Sequence, residues 1–189
     1  MYAGLNGVTT GWREGFSISI NNRKPSNRTS PIDLMENISL IFAGFKQNLK
    51  VIRDTLEACE TYDCAYKMLT SEYQIAPSYY ALAGNSTYQG AIITRDRLGP
   101  AHIDSLSKDN WYVSQTNDDH WTGICTIRCS YVKDSMNQIG RENITAEKLR
   151  NILLQWPSNN QHSIYNTLIV PGQSFFEVQT ISNDQPAPI

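Results

Sequence analysis

GAIITRDRLGPAHIDSLSKDNWYVSQTNDDHW, residues 90–121, is the stretch on which the reading of this chain turns. GAIITRDR and HIDSL read as successive strands, and WYVSQT as a further strand. That last strand ends on Asn117, Asp118, Asp119 and His120, fenced by Trp111 and Trp121. Four polar groups at one strand end, between two large aromatics, mark a place where side chains are gathered for chemistry.

Working outward, SYYALAG before the turn at Gly84-Asn85 pairs with GAIITRDR as a hairpin. GFSISI places Phe16, Ile18 and Ile20 on one side of a half-buried strand, and the polar NNRKPSNRTSP that follows reads as a loop. From Ile32 to Leu69 the period is helical. Leu49, Ile52 and Leu56 share one face, and Thr61 is placed to cap a short helix carrying Tyr62, Ala65, Tyr66 and Leu69. Helix is expected again over residues 130–137. Another runs from a Thr145 cap through Leu149, Ile152, Leu153 and Trp156 to Pro157. SIYNTLIV and FFEVQTI close the chain as strands about a Pro171-Gly172 turn. Strands and helices are segregated, so the fold class is α+β rather than a Rossmann-type alternation. No phosphate loop, Walker motif, heptad or internal repeat is present.

The 189 residues suit one domain, assigned to residues 1–181 with a loose polar tail at 182–189. A net charge of −2 excludes a non-specific nucleic-acid binder, which needs a basic face. No apolar run is long enough to cross a bilayer. MYAGLNGVTTGWREG has neither the basic nor the apolar region of a signal peptide, yet sequons stand at Asn27, Asn37, Asn85 and Asn143. About two would arise by chance. The excess hints at the secretory route and at a true N-terminus upstream. Cys59, Cys64, Cys125 and Cys129 lack C-x-x-C spacing, and no His sits near the first pair, so zinc is not the expected reading. Small buried thiols, or one local disulfide, are expected instead.

GFSISINNR (15–23), IAPSYYALAGN (75–85), GAIITRDR (90–97) and WYVSQTNDDHW (111–121) resemble the acid ceramidase and N-acylethanolamine acid amidase family. RENITAEKLRNIL (141–153) and SIYNTLI (163–169) extend the resemblance over nearly the whole chain, closer to the ceramidase branch. It implies a partial four-layer α-β-β-α sandwich of the N-terminal-nucleophile hydrolase type. It also implies a lipid amidase that splits N-acylsphingosine or related fatty amides without a cofactor or metal. In such enzymes self-cleavage exposes a Cys whose thiol attacks the amide while its own α-amino group acts as base. Expected partners are the lipid amide and an N-terminal α-subunit released by that cleavage. The expected location is lysosomal, or secreted, if the full-length precursor carries a signal peptide.

Residue by residue, Asn117 matches the family's active-site asparagine, whose amide donates to the oxyanion and does not titrate. Arg128 matches its downstream arginine if a short gap is allowed, TIRC standing where DDRR is usual. Asn22 falls where the family commonly has Glu, and an amide carries neither the charge nor the basicity of that group. The nucleophilic Cys and a GRNLD-like segment would precede Met1, and none of the four cysteines stands in their place. The chain is therefore read as the C-terminal part of a catalytic β-subunit, inactive alone. The alternative is a non-catalytic paralogue that binds lipid or a partner.

Plainer roles stand beside these. Asn117 could cap a turn, and Asp118, Asp119 and His120 suit turn or salt-bridge roles better than a metal, since neighbouring strand residues point oppositely. Arg95 and Arg97, two apart, are expected to form an ion-pair ladder. His102 and His162 read as ordinary strand residues, and Tyr79, Tyr80 and Trp111 as core or pocket wall.

Overall fold

The computed structural model describes residues 7–23 and 30–181. Five strands, β1 (Thr10–Arg13), β2 (Phe16–Asn22), β3 (Ser78–Gly84), β4 (Gly90–Arg95) and β5 (Pro100–Ser105), form an antiparallel sheet in chain order. Helices α1 (Ser30–Phe42), α2 (Asn48–Ala58) and α3 (Tyr62–Ser71) intervene between β2 and β3. After β5 come α4 (Ile127–Ile139), α5 (Ala146–Leu154) and the hairpin of β6 (Tyr165–Val170) and β7 (Phe175–Thr180). The expected caps form: Thr61 Oγ1 accepts from Cys64 N and Thr145 Oγ1 from Lys148 N.

Period-two side chains decide the packing. Phe16, Ile18, Tyr80, Leu82, Ala91 and Ile93 point to one face and are buried against Val51 and Ile52 of α2 and Ala65 and Leu69 of α3. Each of the larger apolar side chains among them contributes about 1.5–3 kcal/mol when fully buried. Arg13 closes the other end of α2, donating to the carbonyls of Leu56 (2.9 Å) and Cys59 (2.8 Å), where the helix dipole favours a cation. On the opposite face Trp12 stacks on Phe176 of β7 with ring centroids 6.4 Å apart, and α5 packs on β6. The order is helices, sheet, hairpin, helices, which is the layering expected. In α1, Ile32, Leu34, Met35 and Phe42 remain exposed.

Several expectations are corrected. WYVSQT belongs to no strand: residues 111–116 find no ladder partner among the described residues and run as a loop across the sheet. His162 lies in a turn. Arg95 and Arg97 form no ladder. The register shifts between Thr94 and Arg95, and Arg95 is wholly buried, its guanidinium donating to the carbonyls of Thr70 and Glu72 at the end of α3. Arg97 instead turns to α1 and the α3–β3 connection, pairing with Glu36 Oε2 (3.6 Å) and donating to Asn37 Oδ1 (3.0 Å) and Ile75 O (3.0 Å). The cysteines form two disulfides rather than one, Cys59–Cys64 and Cys125–Cys129, with Cα separations of 5.5 and 5.2 Å. Spacings of five and four across a helix start bring each pair within bonding reach. Asn27 and the tail 182–189 lie outside the described residues.

Candidate active site

The sheet face turned away from α2 and α3 carries the site. Asn21, Tyr79, Thr94 and His102 are register partners on four successive strands, so their side chains form one row across that face. The 111–121 loop lies over this row. Asn21 Nδ2 donates to Gln115 O (3.2 Å), the Tyr79 hydroxyl to Asp119 Oδ1 (2.7 Å), and Trp121 stacks on His102 at 4.5 Å.

Arg23, immediately after β2, fastens the loop. Its Nε and Nη2 reach the two oxygens of Asp119 at 2.8 Å each, and its Nη1 donates to Asp96 Oδ1 at 2.6 Å. This bidentate fork fixes angle as well as distance. Its hydrogen bond holds the Asp119 carboxyl below the usual carboxylate range against the opposing effect of burial, with Tyr79 adding to the effect. The same bond raises the Arg23 guanidinium further, and burial, then the Asp119 contact, push the Tyr79 phenol up. The sequence assigned Asp119 only a general turn or salt-bridge role. Arg23 and Tyr79 carried no signal as its partners, because strand register is what brings them there.

The fastened loop presents Asn117. Its Nδ2 donates to the Asn22 carbonyl at 3.0 Å, and its Oδ1 accepts from Arg128 Nη2 at 2.9 Å. Arg128 sits in the first turn of α4, bracketed by the Cys125–Cys129 disulfide. The three expected site residues are thus brought together, although Asn22 takes part through its backbone. Arg128, a donor only, identifies which end of the Asn117 amide is oxygen. One N–H of the amide is used on Asn22 O. The second has no hydrogen-bond partner among the described residues, and the guanidinium on Oδ1 polarises it.

Beside the site is a cavity of about 220 Å³ walled by Tyr112, Val113, Val132, Met136, Leu149 and Leu153, with Gln115 and His120 among its polar lining. All four cysteines are disulfide-bonded, so none offers a thiol. Asp118, Asp119 and His120 do not converge: Asp119 turns to Arg23, and His120 to Asp104 of β5. Of the sequons, Asn85 is exposed at the hairpin turn and Asn143 is exposed after α4, whereas the Asn37 amide is already bonded to Arg97.

No protein-family model matches the chain. Acid ceramidase of Pan troglodytes is 33% identical over 99% of this chain and 48% of its own length, and that of Homo sapiens 32% over the same shares. The N-acylethanolamine-hydrolyzing acid amidase of Caenorhabditis elegans is 31% identical over 90% of this chain and 49% of its length. The chain therefore spans about half the length of the curated relatives it matches. The solved structure of the Caenorhabditis elegans ortholog of N-acylethanolamine-hydrolyzing acid amidase superposes with a TM-score of 0.79 at 28% identity. That match covers 91% of this chain and 73% of the other. The α+β fold is thus that of the N-terminal-nucleophile hydrolases. With similarity along nearly its full length to both branches, the chain belongs to the acid ceramidase and N-acylethanolamine acid amidase family.

Proposed function

We propose that these residues form the Asn117-bearing part of a lipid amidase of the acid ceramidase type. It would hydrolyse the amide bond of N-acylsphingosine or a related fatty amide to a free fatty acid and an amine. The observation that carries this is the Asn117 amide, pinned between Asn22 O and Arg128 with one N–H left over, in a chain related throughout to such amidases. A thiolate adds to the substrate carbonyl and the free Asn117 N–H receives the developing oxyanion. The amine leaves with a proton, and water then hydrolyses the thioester. The thiol comes from polypeptide outside these 189 residues, because the four cysteines present are paired. The chain alone is inactive and works with an N-terminal α-subunit. The apolar cavity beside Gln115 would take part of the acyl chain. Two disulfides suit an oxidising compartment, and with the sequons they favour a lysosomal or secreted glycoprotein.

A non-catalytic paralogue is the second reading. It is favoured by Asn22, whose amide stands where the family commonly has a carboxylate. The two readings separate on the protein purified from its native source, by N-terminal sequencing and by release of fatty acid from ceramide at acid pH. The amidase reading expects a chain beginning with Cys and turnover that falls about 10²–10³-fold in kcat in Asn117→Ala. Absence of both a leading Cys and fatty-acid release overturns it and leaves the paralogue.

A further inference from the structure

Next to the Asn117 loop, three side chains converge, and the amidase reading does not require that they meet. His102 and Asp104 project from β5, and His120 comes from the loop above. One donor atom from each lies within 4.8 Å of the other two. His102 Nε2 is 3.1 Å from Asp104 Oδ1, and His120 Nε2 meets the second oxygen, Oδ2.

The hydrogen-bond inventory around His120 does not close by itself. Its Nδ1 is 3.0 Å from Gln115 Oε1. The Gln115 amide cannot be turned over, because its Nε2 donates to the carbonyls of Asp118 (2.8 Å) and Thr116 (3.2 Å). Oε1 only accepts, so Nδ1 carries the proton. In a neutral ring Nε2 is then a lone pair, and it faces a carboxylate oxygen that also only accepts. A positive species belongs between them. A proton on His120 Nε2 closes that pair, with His102 Nε2 donating to the other oxygen; a divalent cation takes both imidazoles and the carboxylate together. Trp121, stacked on His102 and edge-on to His120 at 5.4 Å, holds both rings facing inward.

We propose that His102, Asp104 and His120 form a three-ligand site for a divalent transition metal of the zinc class. Two imidazole nitrogens and one carboxylate oxygen are a zinc donor set that leaves a fourth position open. Zinc bonds of about 2.0–2.1 Å place tetrahedral donors about 3.4 Å apart, so small side-chain rotations complete the site. Gln115 supplies the outer hydrogen bond that orients a metal-bound imidazole. All three ligands are partly exposed, so an ion enters from solvent. Bound there, it ties β5 to the loop that presents Asn117.

The test uses the full-length protein, stripped with chelator and titrated with zinc alone near neutral pH by calorimetry. A parallel titration with cobalt(II) is followed in the visible spectrum. One zinc per chain is expected, with the absorption of four-coordinate cobalt. His120→Gln and Asp104→Asn should each weaken uptake at least about 100-fold, and Gln115→Leu about tenfold. Circular dichroism of each variant reports whether it is folded. No stoichiometric zinc uptake by the unsubstituted protein overturns the proposal, as does uptake unchanged in folded His120→Gln and Asp104→Asn. In the unsubstituted protein the cobalt spectrum should lack the near-ultraviolet thiolate-to-cobalt band, as two nitrogens and one oxygen require; such a band would place the ion on a thiol and overturn the proposal even if a variant fails to fold. None of these readouts depends on amide hydrolysis, so they stand apart from the amidase reading.

Discussion

Asp119→Asn changes one atom and tests what holds the Asn117 loop in place. In the native protein Asp119 accepts two bonds from Arg23 and one from Tyr79, with its side chain 21% exposed and that of Arg23 12% exposed. An asparagine keeps the Tyr79 bond through its oxygen but turns an N–H toward the guanidinium, placing donor against donor. Arg23 then keeps its Nε bond to that same oxygen, together with Asp96, whose side chain is 61% exposed, and the carbonyl of Arg95, but loses the Nη2 bond and the opposite charge. Breaking a well-shielded ion pair costs about 3–5 kcal/mol, and partial exposure here brings the expectation to about 2–3 kcal/mol. For a domain of this size that lowers Tm by about 4–12 °C. The dependence on pH follows from the direction of the shift. The folded carboxyl is held below its unfolded value, so its stabilisation is complete above about pH 5 and is lost as pH falls through the folded value. The gap between native protein and variant should be constant from neutral pH to about pH 5 and close below about pH 4. Calorimetric melts across that range read it directly. A gap under about 1 °C at neutral pH, or one that persists undiminished in acid, would refute the view that Arg23 and Asp119 fasten the loop.

Other perturbations probe the frame. Gln74→Ala removes a wholly buried amide that accepts from the Tyr80 hydroxyl at 2.8 Å and donates to Ser78 Oγ at 3.0 Å; denaturant unfolding should show a loss of about 2–4 kcal/mol. Thr145→Ala deletes the α5 cap and should cost about 1 kcal/mol in the same assay, while Thr145→Ser should cost much less. Reducing both disulfides should loosen Arg128 and the start of α3, and partial proteolysis should first cut near residues 59–64 and 122–129. Glycan mapping of protein from its native source should find exposed Asn85 and Asn143 occupied more fully than Asn37, which is half-buried and held by Arg97 through its oxygen.

What the amino-acid sequence determined by itself was local. Thr61 and Thr145 cap as read, and Phe16, Ile18 and Ile20 alternate as read, because a cap or a strand face depends on residues a few positions apart. The QTN motif pointed to Asn117, and the structure brings it to Arg128 and Asn22. What only the tertiary structure decided depended on register. The row Asn21, Tyr79, Thr94 and His102 exists because four strands pair at one particular offset, and a slip of one residue would turn every member to the other face. The burial of Arg95, the clasp of Arg23 on Asp119 and the meeting of His102, Asp104 and His120 all follow from that offset. The loss of strand character in WYVSQT has the same origin, since a strand exists only where another backbone pairs with it, and composition does not reveal which neighbours will be present.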